Sequence, residues 1–479
     1  MTRTPSRRPR AAATAAVALL LTAACAAGGA ARAQAQQSAS AQPPARQSAN
    51  PVTLTIEQAR TLAHSANASG QFDLALGVAN GLLQRDPEDA GALIEAASAL
   101  IGLGRYDEAV RMAARAFRAA GVPGTRVQAA RLAASAQYRA HRYTLAEIWL
   151  RRAFNQAGDV KTRAVLREEF ATVHRDNPLS MSFGFSMAPN DNINNGSSSE
   201  TITIWNLPFV LSPDARALSG IEASASIQAK YRLSRSQVQE THLGVTLYQR
   251  SYELSDAAKA AAPGVKGSDY AFAMAELSLT HDRRFSGLSG PSSLALTAGR
   301  FWYGGAVYLD YARLSASQVF NLSARTSTNL QFGYETQLSH LSGGTVSNIV
   351  SLGGGVSRKL GNGDTLSANL LVSDTRSDDP TAENRAARLQ ASYSFARPVM
   401  GMRLSLNLSA ERRDYGVSVY DSSGRHDRTL SGGISAVFPN VSFYGFSPSV
   451  SIETSRSESN VALYDRRSNA VRLGIQSTF

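Results

Sequence analysis

Ile221-Glu222-Ala223-Ser224-Ala225-Ser226-Ile227-Gln228-Ala229-Lys230-Tyr231-Arg232 changes between apolar and polar at every step. A strand turns successive side chains to opposite faces, so this stretch makes one apolar face and one charged, hydroxylated face. The pattern returns downstream. Leu330, Phe332 and Tyr334 alternate with Asn329, Gln331, Gly333 and Glu335, and Leu389, Ala391, Tyr393 and Phe395 alternate with Arg388, Gln390, Ser392 and Ser394. Met402, Leu404, Leu406 and Leu408 alternate with Arg403, Ser405, Asn407 and Ser409, and Val450 and Ile452 with Ser449, Ser451 and Glu453. A soluble sandwich can show one such face. Many segments of about 10 to 15 residues, over about 300 residues without an intervening helix, point instead to a transmembrane barrel. No apolar helix long enough to span a bilayer is left, so a closed barrel is the one spanning structure open to the chain.

The alternation predicts strands at 179–189, 217–233, 237–251, 268–283, 292–304, 306–319, 327–339, 346–358, 365–376, 385–397, 402–415, 426–438, 446–457 and 467–479. That makes about 14, an even number that returns both ends of the barrel to the periplasm. Short connections such as Gly361-Asn362-Gly363-Asp364 and Pro398-Val399-Met400-Gly401 fall on one side, and long ones at 190–216 and 256–267 on the other. Trp302, Tyr303, Tyr248, Tyr252, Tyr415 and Tyr420 lie near strand ends, as an interfacial girdle would. Gly353-Gly354-Gly355, inside a strand, is expected to relieve crowding or permit a bend. On the polar parity, Glu222, Lys230, Arg232, Glu335, Arg388, Arg403, Glu411 and Glu453 are predicted to face the lumen, either as rigidifying cross-strand ion pairs or as guides for a substrate. The last strand carries Val471, Leu473, Ile475 and Phe479 on one face with Gly474 between them. This ending, Gly474 with Phe479, resembles the signal read by the outer-membrane barrel-assembly machinery, although Ser477 stands where an aromatic is usual.

Upstream of Pro178 the period is helical. Gly70-Gln71-Phe72-Asp73-Leu74-Ala75, Gly104-Arg105-Tyr106-Asp107-Glu108-Ala109 and His141-Arg142-Tyr143-Thr144-Leu145-Ala146 are alike, with terminal alanines 34 and 37 residues apart. The first spacing is that of the tetratricopeptide (TPR) repeat, a helix–turn–helix unit. Gly70 and Gly104 end first helices, Phe72, Tyr106 and Tyr143 plug the gaps between repeats, and Ala75, Ala109 and Ala146 permit close packing. Pro87 closes the first repeat, whereas Gly121 and Gly158 hold that place later. Residues 53–177 are therefore predicted to be a periplasmic TPR-like domain and 178–479 the barrel, with a hinge at Pro178. A TPR groove binds a peptide or docks on a neighbour; a plain spacer is the alternative.

Residues 1–33 read as a secretory signal peptide: Arg3, Arg7, Arg8 and Arg10 precede an apolar stretch over 11–24, with small-residue cleavage sites at Ala33 or Ala35. The lone Cys25 is either discarded with that signal or lipidated within an imperfect lipoprotein box. Residues 34–52, rich in Ala, Gln, Ser and Pro, read as a disordered linker.

The formal charge of +12 raises nucleic acid as a partner, but the basic residues are spread along the chain without interleaved aromatics, and none is expected. The seven histidines lack ligand-pair spacing, and His174-Arg175-Asp176 has no glycine-rich phosphate loop to accompany it. No catalytic, metal or cofactor site is expected, and the barrel is expected to be monomeric in the outer-membrane lipid of a Gram-negative cell.

Phe183-Gly184-Phe185-Ser186-Met187-Ala188-Pro189-Asn190-Asp191-Asn192-Ile193-Asn194-Asn195-Gly196 joins an aromatic-rich first strand to Ala-Pro and an Asn-Ile-Asn run. This junction, between TPR repeats and a barrel, resembles the start of the barrel in the surface lipoprotein assembly modifier family. The resemblance implies a non-enzymatic outer-membrane translocon or assembly factor. It delivers client lipoproteins or secreted proteins, often of the metal- or haem-acquisition type, to the cell surface. An exopolysaccharide export porin and a simple diffusion porin are the alternative readings. Asn192, Asn194 and Asn195 also suit a turn-forming loop.

Overall fold

The structure, a computed structural model, describes residues 53–204, 207–341, 343–441 and 443–477. The predicted signal peptide, the linker, Cys25 and Phe479 lie outside the described residues.

Seven helices open the described chain: α1 (Ile56–Ala68), α2 (Phe72–Arg85), α3 (Ala90–Gly102), α4 (Tyr106–Ala119), α5 (Pro123–Arg139), α6 (Tyr143–Gln156) and α7 (Val160–Asp176). Local chemistry sets their starts. Thr55 and Gln58 form a capping box on α1, Asp89 accepts from the amides of Gly91 and Ala92 before α3, and Asp159 accepts from that of Thr162 before α7. Between paired helices the chain turns through positive φ at Gly70 (78°), Gly104 (74°) and His141 (58°). The third corner thus carries a side chain where the first two have glycine. Ala75, Ala109 and Ala146 are wholly buried, and a Cβ on Gly102 would lie 2.4 Å from the Phe72 ring. Small residues therefore bring the helices together, while Leu93, Leu100 and Leu166 fill the space between them.

Fourteen strands close the barrel: β1 (Leu179–Asn190), β4 (Gly220–Arg235), β5 (Gln239–Leu254), β6 (Phe272–Arg283), β7 (Ser292–Tyr303), β8 (Ala306–Asn321), β9 (Thr326–Ser339), β10 (Val346–Lys359), β11 (Thr365–Ser377), β12 (Asn384–Ser394), β13 (Arg403–Tyr415), β14 (Arg425–Val437), β15 (Phe446–Ser459) and β16 (Arg466–Ser477). Each pairs antiparallel with its sequence neighbours, and β1 meets β16, so no edge is left. Leu352, Leu389, Leu408, Leu430, Ile452 and Leu473 all point outward and are more than half exposed. Such a surface is incompatible with water and suited to lipid. Among the described residues no helix is long and apolar enough to cross a membrane.

Two expectations need correction. The predicted long loop at 190–216 contains a separate hairpin, β2 (Thr201–Ile204) with β3 (Leu207–Val210), and the 256–267 connection contains a short helix, α8 (Asp256–Ala261). The predicted hinge is pinned. Asn177 is buried, donates to Glu147 (3.0 Å) and Thr144 (3.3 Å), and accepts from the Leu179 amide (3.0 Å), while the Arg232 amide donates to the Pro178 carbonyl (2.7 Å). Helices and barrel accordingly belong to one compact unit.

Candidate functional site

The lumen is built from the polar parity of every strand, and its two sides differ. Along β10 to β16 small hydroxyls recur on the inner wall among amides and paired charges, with cross-strand pairs such as Ser405–Ser435 (2.6 Å), Ser431–Ser455 (2.9 Å) and Thr429–Ser457 (3.0 Å). From β5 to β8 it is bulky. Tyr248, Phe272, Phe301 and Tyr311 follow one another at ring separations of 6.1, 5.4 and 5.2 Å. A Cβ on Gly299 would lie 2.5 Å from Tyr311, so glycine makes room for that ring. Gly353 likewise leaves space for Gln331, and Gly355 for Asn329 and Asn369, which explains these two glycines as relief of crowding.

The predicted lumenal charges lie on this inner face but do not form one cluster. Glu222 is the most enclosed, with its side chain 2% exposed between Arg472 (2.7 Å) and Arg250 (3.5 Å); Arg472 continues to Glu453 (3.4 Å). Glu335 is bound by Arg313, and Glu411 bridges Arg388 and Arg413. Lys230 and Arg232 stand near the helical domain, where Arg232 reaches Glu240 (3.6 Å). Arg403 pairs in register with Val437 and has no carboxylate partner among the described residues. Arg250, Arg313, Arg413 and Arg472 were not singled out in the sequence. Each is the basic partner of a predicted acid, and strand parity alone places them inward. Parity also corrects the girdle: Tyr248 and Tyr252 share the inner face with Arg250, and Tyr415 stacks under Arg425, 3.6 Å from its centroid.

The Asn-rich run roofs one side of the lumen. The Asn192 side chain donates to the carbonyls of Gly196 (2.9 Å) and Arg467 (3.0 Å), and that of Asn194 to the carbonyls of Asp214 (2.9 Å) and Arg216 (2.7 Å). Ile193 and Leu218 pack with Leu254, Ala258 and Ala262 of the α8 loop. On the opposite flank, Ile202 and Leu211 pack with Val461, Tyr420 and Tyr464 of other outer loops. Beneath this roof lies a cavity of about 930 Å³, reached by Asn192, Ile193, Glu222, Arg250, Glu453 and Arg472.

At the other end the helical domain docks on the rim. Helix α7 presents its last carbonyls, and Arg232 and Arg235 donate to those of Asp176 and Arg175, each at 3.0 Å. These contacts satisfy orphan acceptors and place cations at the negative end of the helix dipole. From α6, Arg151 donates to the Tyr444 carbonyl and the Ser477 hydroxyl, both at 3.4 Å, and lies over Phe170 and Phe446. Burial pulls its guanidinium below the ordinary value, an effect that Glu147 opposes. A second cavity, about 420 Å³, opens at this junction beside His174, Lys230, Arg232 and His242. Gly474 lies at the β1–β16 seam, where a Cβ would meet the Phe185 carbonyl at 3.0 Å. Among the described residues no group of three or more His, Cys, Asp or Glu is placed to hold a metal ion.

Residues 180–479 match the family described as surface lipoprotein assembly modifier, and residues 66–134 match the tetratricopeptide repeat. No curated protein matches the chain. Among solved structures, OccAB4 of Acinetobacter baumannii is similar over 63% of this chain and 99% of its own, at 9% identity and a TM-score of 0.32. OmpT, an outer membrane protein of Vibrio cholerae, is similar over 63% of this chain and 100% of its own, at 8% identity and a TM-score of 0.33. The TPR2B domain of yeast Sti1, in its pHsp70 complex, covers 25% of this chain and 97% of its own, at 21% identity and a TM-score of 0.24.

Proposed function

The chain belongs to the surface lipoprotein assembly modifier family, and on that premise we propose that it passes client lipoproteins from periplasmic repeats to the cell surface through its barrel. The observation that carries this reading is the pairing of a hydroxyl-lined, roofed lumen with a helical domain docked directly on its rim. A polypeptide in an extended state needs exchangeable hydrogen-bond partners, and small hydroxyls offer them along the wall without fixing a sequence. Ion-paired charges such as Glu222 with Arg250 and Arg472 hold the wall rigid and keep isolated charges away from the client. The clients are surface lipoproteins or secreted proteins of the metal- or haem-acquisition type. The barrel-assembly machinery inserts the chain, reading Gly474 and Phe479, and the inserted barrel is monomeric in outer-membrane lipid. The chemistry is transport, with no catalytic step.

The test is co-expression with the product of the neighbouring gene, followed by protease shaving of intact cells. Client display is expected with the wild-type chain and is expected to fall with the triple change Arg151→Glu/Arg232→Glu/Arg235→Glu, which removes the side-chain contacts of the repeats with the rim while barrel levels stay unchanged. Display that is the same with and without the chain would overturn the reading.

A further inference from the structure

The outer surface of the barrel carries a basic patch at the end away from the helical domain. On β13 to β16 the lipid-facing parity runs through Leu408, Leu430, Ile452 and Leu473 and then, toward the roofed end, changes to Arg412, Arg428, Arg456 and Arg467. Arg412 stands directly opposite Arg428, and Arg456 directly opposite Arg467. Like charges facing each other across a ladder destabilise a sheet unless something negative lies between them. The sheet itself supplies too little: Asp414 binds Arg412 (2.9 Å), and Glu458, which stands opposite Arg428 in register, is bound by Arg456 (2.9 Å), so that Arg428 and Arg467 make no ion pair of their own among the described residues. Beside the quartet, Arg385 is paired with Asp374 (3.1 Å) at the mouth of an outward cavity of about 390 Å³. That cavity is charged at one end, with Asp374, Arg385, Arg412 and Asp414, and apolar at the other, with Val350, Leu352, Val372 and Ala387.

We propose that this patch binds the phosphate groups of a phosphorylated glycolipid of the outer leaflet, with an acyl chain lying along the apolar wall below. Guanidinium forks match phosphate oxygens two at a time, and four of them on adjacent strands match a headgroup with more than one phosphate. The vertical order, arginine directly above leucine, selects an amphiphile over a free anion. The orientation proposed above, with the repeats in the periplasm, puts the patch in the outer leaflet.

Purified full-length protein in detergent is titrated with lipid A, dephosphorylated lipid A, phosphatidylglycerol and inorganic pyrophosphate, and bound ligand is counted by native mass spectrometry. Lipid A is expected to bind at least about tenfold more tightly than the other three, and Arg428→Gln/Arg467→Gln to lose about that factor. Arg325→Gln, on a turn at the opposite end, is expected to bind as wild type. Equal binding of dephosphorylated lipid A or pyrophosphate would overturn the lipid-phosphate assignment. Equal binding of phosphatidylglycerol would overturn the outer-leaflet source. Undiminished lipid A binding by the folded double variant would overturn the residues. If the double variant does not assemble, the four ligands on the wild-type chain still decide.

Discussion

The repeats and the barrel use the same chemistry in opposite senses. In the helical domain Leu93 and Ala75 are wholly buried while Arg60, Arg105 and Arg142 reach the surface, whereas in the barrel Leu389 and Leu430 face outward and Glu222 is among the most enclosed side chains. The repeats are held by packing around a dry core, and the barrel by a closed ladder of backbone hydrogen bonds with lipid as its outer solvent. The same residue type therefore has a different value on either side of Pro178, and substitutions can measure the difference.

The largest effect is expected in the lumen. Glu222→Ala leaves Arg250 and Arg472 without their shared carboxylate, which should cost about 3–5 kcal/mol and lower the temperature of the heat-modifiable gel transition. Of equal size is the first member of a matched pair. Leu93→Ala in the helical core should cost about 3–5 kcal/mol because a cavity remains. Leu389→Ala should cost only about 2 kcal/mol, since lipid chains close in and the transfer term alone is lost. Denaturant titrations in detergent would separate the two, and equal costs would break the contrast.

Asp89→Ala removes the α3 cap and should cost about 1 kcal/mol. Burial pushes the Asp89 carboxyl up, but Arg60 and the amides of Ala92 and Gly91 outweigh it and hold the group below its ordinary value. A depressed folded pKa stabilises above the unfolded carboxylate pKa and is lost as pH falls through the folded one. The penalty of the variant should thus be full at neutral pH and vanish in acid below the carboxylate range. The smallest effect is a gain: His141→Gly relieves a side chain held at φ 58° and should add about 0.5 kcal/mol, less whatever its contact with Tyr143 contributes.

Much of the fold was legible. The period-2 runs located all fourteen barrel strands, with the largest shift at β6, which begins at Phe272 where 268 was expected. The TPR corners were readable because Gly70, Gly104, Phe72 and Tyr106 repeat at a fixed spacing. What stayed hidden depends on contacts between distant segments. Nothing local in Asn192 announces that it holds the Arg467 carbonyl, and nothing in Arg151 announces Tyr444. Tyr248 and Tyr252 were misassigned to the girdle because proximity to a strand end was weighed above parity, and both follow Arg250 to the inside. The hinge was expected because a helix ends and strands begin at Pro178; Asn177, which fixes that junction through Thr144 and Glu147, looks like an ordinary helix end.

Two neighbouring residues give the most direct test of the central claim that clients pass through the lumen. Ser431 lines the inner cavity, and Leu430 faces lipid with 64% of its surface exposed. A photo-crosslinking amino acid is placed at each position in cells exporting the client lipoprotein. The account predicts crosslinks to the client from position 431 and none from position 430. Crosslinks from position 430 alone would show that the client travels along the outside of the barrel and would contradict it.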